Sequence, residues 1–119
     1  VQGIVTAPLD KAALHAGGFD YPGHTEMLAA LTGRPTTMML AATRPSVAGG
    51  TPLRVVLATT HVALRDVPRL LTRDVIVDAA RTTRTGLQAW FGIPEPRLAL
   101  CALNPHAGDG GRFGREDDD

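Results

Sequence analysis

Apolar residues fall into short runs at Gly3–Thr6, Thr36–Ala42, Leu53–Thr60 and Arg97–Leu103, each of strand length and set off by glycine, proline or polar residues. In LRVVLATT the β-branched Val55, Val56, Thr59 and Thr60 suit a pleated surface better than a helix. Between the runs the period changes. The clearest helix is predicted over Asp74–Phe91, where Ile76, Ala80, Thr83, Leu87 and Trp90 recur at helical spacing. Thr72 is placed to cap it, Asp74 favours its positive end and Gly92 stops it, while Pro94 and Pro96 prevent its resumption. A shorter helix is predicted over Glu26–Leu31, with Thr25 as N-cap and Gly33 just beyond its end. TRPSVAGGTP, Thr43–Pro52, reads as an exposed loop. Strand runs alternating with helices predict an α/β architecture with a largely buried sheet.

Composition narrows the partners. The chain has 119 residues and 44% hydrophobic content, enough for one modest core. Twelve basic and twelve acidic residues cancel, which removes the broad positive field that nucleic acid or an anionic membrane would require. Cys101 is the single cysteine; inside LALCAL it is expected to be a small buried hydrophobe in a reducing compartment. No apolar run reaches membrane-spanning length and no charged-then-apolar leader is seen, so a cytoplasmic protein is expected. The chain does not start with methionine. VQGIVTAP reads as a strand running into a turn and REDDD as the acidic first turn of a helix, so residues 1–119 are expected to be an internal segment truncated at both ends.

Two of the four histidines share a placement. His61 follows LRVVLATT and His106 follows LALCALNP, each at or just after the carboxyl end of a predicted strand, where α/β sheets form their ligand crevice. Imidazole is a common ligand for divalent metals. Nothing local links the pair, which would have to converge through the fold, and a catalytic metal would want a third protein ligand and an open position. His24, in YPGHTEMLAALTG, directly precedes the predicted helix. Gly23, His24 and Thr25 there can hold a phosphate, carboxylate or hydroxyl on unpaired N–H groups, or simply cap the helix. His15 is expected on a helix surface near a glycine stop, and Lys11, the only lysine beside eleven arginines, on a solvated surface. Arg65 and Asp66 fit a turn and helix start. After His106 the loop carries Gly108, Gly110, Gly111 and Gly114, more backbone freedom than a plain connection needs. It is not a nucleotide fingerprint: Phe113 stands where the last glycine of G-x-G-x-x-G should fall, and no Walker lysine follows.

Taken in order, TAPLDKAAL, YPGHTEMLAALTG, LRVVLATTHVALRDVP and LNPHAGDGG-x-x-GRE resemble the middle of the 4-hydroxythreonine-4-phosphate dehydrogenase family, PdxA, over nearly the whole chain. The resemblance implies part of an α/β/α fold similar to the isocitrate and isopropylmalate dehydrogenases, which bind nicotinamide without the usual Rossmann fingerprint. It also implies a homodimer whose active sites lie in an interdomain cleft and draw on both subunits. A divalent metal (zinc, magnesium or cobalt) is implied on three histidines, two of which TTH and NPHAG carry onto His61 and His106. The third belongs to a later motif outside this segment. GHTE carries the family's substrate-contacting pair onto His24 and Thr25. The implied reaction is oxidation of 4-phosphooxy-L-threonine with NAD or NADP and loss of CO2, in pyridoxal phosphate biosynthesis; no residue here is assigned to the nicotinamide cofactor. Asp10 in place of the usual asparagine, Arg112 in place of a frequent histidine, and a long Thr43–Pro52 loop depart from the pattern. They bear on substrate identity, and the alternatives are dehydrogenases of 4-phospho-D-threonate or D-erythronate, or a metal-binding or scaffold domain without catalysis.

Overall fold

Thr72 and Gly92 bracket the longest element among the described residues, a threonine cap at one end and a left-handed glycine at the other. In the computed structural model, which describes residues 3–118, the helix runs from Arg73 to Phe91. The α-helices and strands in chain order are α1 Lys11–Ala16, α2 His24–Thr32, β1 Met38–Ala41, β2 Arg54–Leu57, α3 Val67–Leu70 and α4 Arg73–Phe91, with short 3-10 turns at Leu64–Asp66, where Arg65 and Asp66 lead into α3 as expected, and at Pro105–Gly108. They fall into two compact units, divided after Thr36.

The first unit holds two helices. The Asp10 carboxylate accepts the N–H groups of Ala12 and Ala13 at 2.9 and 3.1 Å, an N-cap that starts α1. His15 lies on its surface, as expected, with Nδ1 3.2 Å from Asp20. α2 begins two residues earlier than predicted: Gly23 is the N-cap and His24 the first helical residue, so Thr25 lies inside the first turn. Gly33, left-handed at φ 60°, ends it. Gly3–Thr6, expected as a strand, is exposed and pairs with nothing among the described residues. The earlier residues of that expectation, Val1 and Gln2, lie outside the described residues.

The second unit is built on a β-hairpin and α4. β1 and β2 pair antiparallel, Met38 with Leu57 and Leu40 with Val55, and the Ala42 N–H continues the ladder to the Leu53 carbonyl at 2.9 Å. The connecting Thr43–Pro52 loop is exposed. α4 rests against β2, and Leu87 is the one buried hydrophobic residue among those described. Thr83 is buried too; its hydroxyl donates to the Ala79 carbonyl at 2.7 Å, so it carries no unpaired polar atom into the packed face. Thr72 Oγ1 accepts the Val75 N–H, and Gly92, left-handed at φ 64°, lets its own N–H and that of Ile93 reach the Leu87 carbonyl. Trp90, expected on the apolar face, is 85% exposed. Its ring leans back over Gly86, while the partly exposed Phe91 ring lies 4.9 Å beneath the Arg54 guanidinium.

Two further expectations need correction. The sheet has two strands and is not largely buried: Leu40, Leu53 and Val55 are exposed beside Ala41 and Ala42 along an open apolar groove. Arg97–Leu103 is not a strand, and Cys101 within it is exposed. An apolar run becomes a strand only where a neighbour offers unpaired N–H and C=O groups, and none of the described residues does so there. Among the described residues no helix is long and apolar enough to cross a membrane. The α/β class stands at the level of helices with a small sheet.

Candidate functional site

The glycines after His106 accommodate a turn of the wrong hand. Residues 106–111 all have positive φ: His106 at 55°, Ala107 at 52°, Gly108 at 80°, Asp109 at 47°, Gly110 at 65° and Gly111 at 88°. Their N–H groups reach back three residues, from Ala107 to Asn104 O, Asp109 to His106 O, Gly111 to Gly108 O and Arg112 to Asp109 O, at 3.0 to 3.3 Å. The result is a short left-handed coil. L-residues avoid this region by about 1–2 kcal/mol each, so runs of it need glycine. The sequence places glycine where substitution is least tolerable. Gly108 is buried, and a Cβ there would stand 2.6 Å from the Gly114 carbonyl oxygen; one at Gly114 would run into the Glu116 carboxylate.

Acidic groups beyond the coil hold its beginning. Asp117 Oδ1 accepts the Leu103 N–H at 2.7 Å and Oδ2 the Asn104 N–H at 3.0 Å, while the Asn104 side-chain amide donates to Glu116 Oε2 at 2.9 Å. Asn104 is extended, at φ −97° and ψ 156°, as a residue before proline must be, and Pro105 then starts the coil. The donated N–H groups of Leu103 and Asn104 hold the Asp117 carboxyl below the usual carboxylate range. Its own backbone N–H, followed by the Asn104 amide, does the same for Glu116. Asp117, Glu116 and Asn104 were not singled out from the sequence. REDDD is a turn over its described residues, not a helix start, and Asp119 lies outside them.

His61 sits just past the end of β2, after the half-buried Ala58–Thr60 bend, and it too is left-handed, at φ 57°. Non-glycine residues with positive φ are uncommon, and such strain gathers at sites that need a side chain aimed. Among the described residues four non-glycine positions show it: His61, His106, Ala107 and Asp109. His106 was expected at a strand end; it is carried on the coil instead. Both imidazoles are exposed, and neither forms a hydrogen bond or ion pair with the described residues.

An exposed imidazole with uncommitted nitrogens is the kind of donor that suits a borderline-soft divalent cation such as zinc or cobalt. The described residues contain no group of three or more His, Cys, Asp or Glu arranged to hold a metal. A metal on either histidine would therefore need ligands from beyond the described residues. The nicotinamide cofactor fits less directly, because the glycines are spent on a left-handed coil packed against Gly114 and do not form a strand-turn-helix phosphate loop.

The other pair lies in the first unit. His24 and Thr25 are half-buried in the first turn of α2, and no side chain caps that helix. Thr25 Oγ1 donates to Glu26 Oε2 at 2.9 Å, which leaves its oxygen as an acceptor. The Glu26 carboxylate makes this helix end less favourable for an anion than the dipole alone would.

Comparisons with known proteins agree with the motifs. A relative from Caulobacter vibrioides, named 4-hydroxythreonine-4-phosphate dehydrogenase, is 48% identical over 100% of this chain and 35% of its own length. A relative of the same name from Xanthomonas campestris is 46% identical over 98% of the chain and 34% of its own length. One from Bradyrhizobium diazoefficiens, provisionally named D-threonate 4-phosphate dehydrogenase, is 49% identical over 98% of the chain and 31% of its length. The chain thus spans about a third of the length of the curated relatives it matches. The family described as pyridoxal phosphate biosynthetic protein PdxA matches residues 1–119, and the chain belongs to that family.

Proposed function

We propose that the protein bearing this chain is a 4-hydroxythreonine-4-phosphate dehydrogenase acting in pyridoxal phosphate biosynthesis. Family membership and the names of the relatives support the reading. The observation that carries it to particular residues is the left-handed backbone shared by His61 and His106, the two histidines that the TTH and NPHAG motifs single out. The reaction oxidises the C3 hydroxyl of 4-phosphooxy-L-threonine, with hydride passing to NAD or NADP, and the resulting β-keto acid loses CO2. A divalent metal, when bound, supplies Lewis-acid polarisation of the substrate oxygens.

In this reading the chain's own residues bind and orient. His61 and His106 offer neutral imidazole nitrogens as ligands, and the third histidine comes from outside the segment. His24 and Thr25 present N–H and hydroxyl groups to polar atoms of the substrate, fixing its orientation. The dehydrogenase-like α/β/α fold, a homodimer sharing its active sites and a cytoplasmic location belong to the same proposal.

The name of the Bradyrhizobium relative favours a second reading, a dehydrogenase of 4-phospho-D-threonate, beside which the D-erythronate alternative also stands. Assay of the full-length protein with each of the three substrates, with NAD and NADP and added zinc, magnesium or cobalt, separates them. The leading reading predicts the highest kcat/KM on 4-phosphooxy-L-threonine. A preference for a sugar-acid phosphate replaces it with the second, and no cofactor reduction with any of them contradicts both.

A further inference from the structure

The coil exposes the His106 side chain while burying Gly108, and its own hydrogen bonds span three to five residues, the longest from the Phe113 N–H to the Gly108 carbonyl at 3.0 Å. What joins the start of the coil to the segment beyond it is the pair of carboxylates. Asp117 takes two consecutive N–H groups on its two oxygens, a bidentate hold that fixes the peptide plane between Leu103 and Asn104. Glu116 takes the Asn104 side chain, and the absence of a Cβ at Gly114 leaves room for that carboxylate. The residues these bonds join are exposed or half-buried. Their evident consequence is the direction in which the chain enters Pro105 and His106.

We infer that Asp117 is a positioning residue for His106, setting the backbone from which that imidazole meets a divalent cation, with Glu116 and Asn104 as its brace. The inference rests on the reading of His106 as a metal ligand. Groups that orient a ligand without touching the metal govern affinity by roughly ten- to a hundredfold. Asp117 acts at one remove further, through the main chain, so an effect near the lower bound is expected.

The test is Mn2+ binding to the full-length protein, followed by electron paramagnetic resonance, with thermal unfolding recorded for each variant. Asp117→Asn, which keeps one acceptor oxygen but replaces the other with a donor, should weaken Mn2+ binding by about tenfold. Asp117→Glu should recover part of that loss, a rescue that a merely structural role would not track. His106→Ala should abolish the high-affinity signal. If Asp117→Asn binds Mn2+ within about twofold of the parent while His106→Ala loses it, the positioning role is overturned and the ligand reading stands. Undiminished binding by His106→Ala overturns the ligand reading and with it this inference. Should Asp117→Asn fail to fold, Glu116→Ala, which removes the acceptor of the Asn104 amide, decides instead: a several-fold fall in Mn2+ affinity with cooperative unfolding retained supports the brace, and unchanged affinity overturns it.

Discussion

Asp117 Oδ2 accepts the backbone N–H of Asn104 at 3.0 Å, across 13 residues of chain. The same carboxylate holds the Leu103 N–H, and both bonds favour its ionised form, so its pKa is lowered in the folded chain. A lowered folded-state value makes the contribution complete above the ordinary aspartate range and lost as pH falls through the depressed value. The Leu103 and Asn104 amide proton shifts are therefore expected to stay constant from neutral pH down to that range and to move together only below it. Independent movement of the two, or a shared midpoint at or above the ordinary aspartate range, would contradict the shared bond.

Gly108 and Gly110 offer a controlled comparison within the coil. Both are left-handed, but a Cβ on Gly108 meets the Gly114 carbonyl oxygen at 2.6 Å, whereas one on Gly110 meets nothing within 4 Å. Gly110→Ala should cost about 1–2 kcal/mol, the conformational penalty alone. Gly108→Ala should cost more, because a backbone oxygen must also move. Denaturant titration of the two variants checks the order, and equal losses would mean that the close approach to Gly114 is absent in solution.

Thr72→Ala removes the side-chain acceptor of the Val75 N–H at the start of α4 and should destabilise the protein by about 1 kcal/mol. Thr72→Ser keeps the oxygen and should retain most of the stability. A loss common to both substitutions would show that the hydroxyl does not cap the helix.

These positions mark what could be read in advance. α4 was legible because its signals are local: a capping threonine, a helical apolar period and a glycine that ends it all lie within the element. Gly3–Thr6 and Arg97–Leu103 look like strands by composition, but whether they pair depends on residues distant in sequence or outside the chain. For the same reason Cys101 is exposed although its neighbours are apolar. At the coil, the excess of glycine announced unusual backbone freedom after His106. Its hand, and the bond from Asp117 that anchors it, were not legible, since a contact spanning 13 residues leaves no periodic trace.

His24 separates substrate binding from metal binding in the proposed site. His24→Ala in the full-length protein should raise KM for 4-phosphooxy-L-threonine or lower turnover, with metal content unchanged, because it sits in the first turn of α2 and is not one of the two left-handed histidines. Elemental analysis alongside steady-state kinetics checks both halves. Loss of metal in this variant would mean that His24 is a ligand.

The central claim is that His61 and His106 serve one cation. Titrating zinc into the full-length protein while recording imidazole nitrogen shifts tests it most directly. The account predicts that the His61 and His106 resonances shift together and saturate at the same zinc concentration, with His15 unmoved. Saturation of the two at different concentrations, or no response from either, would contradict it.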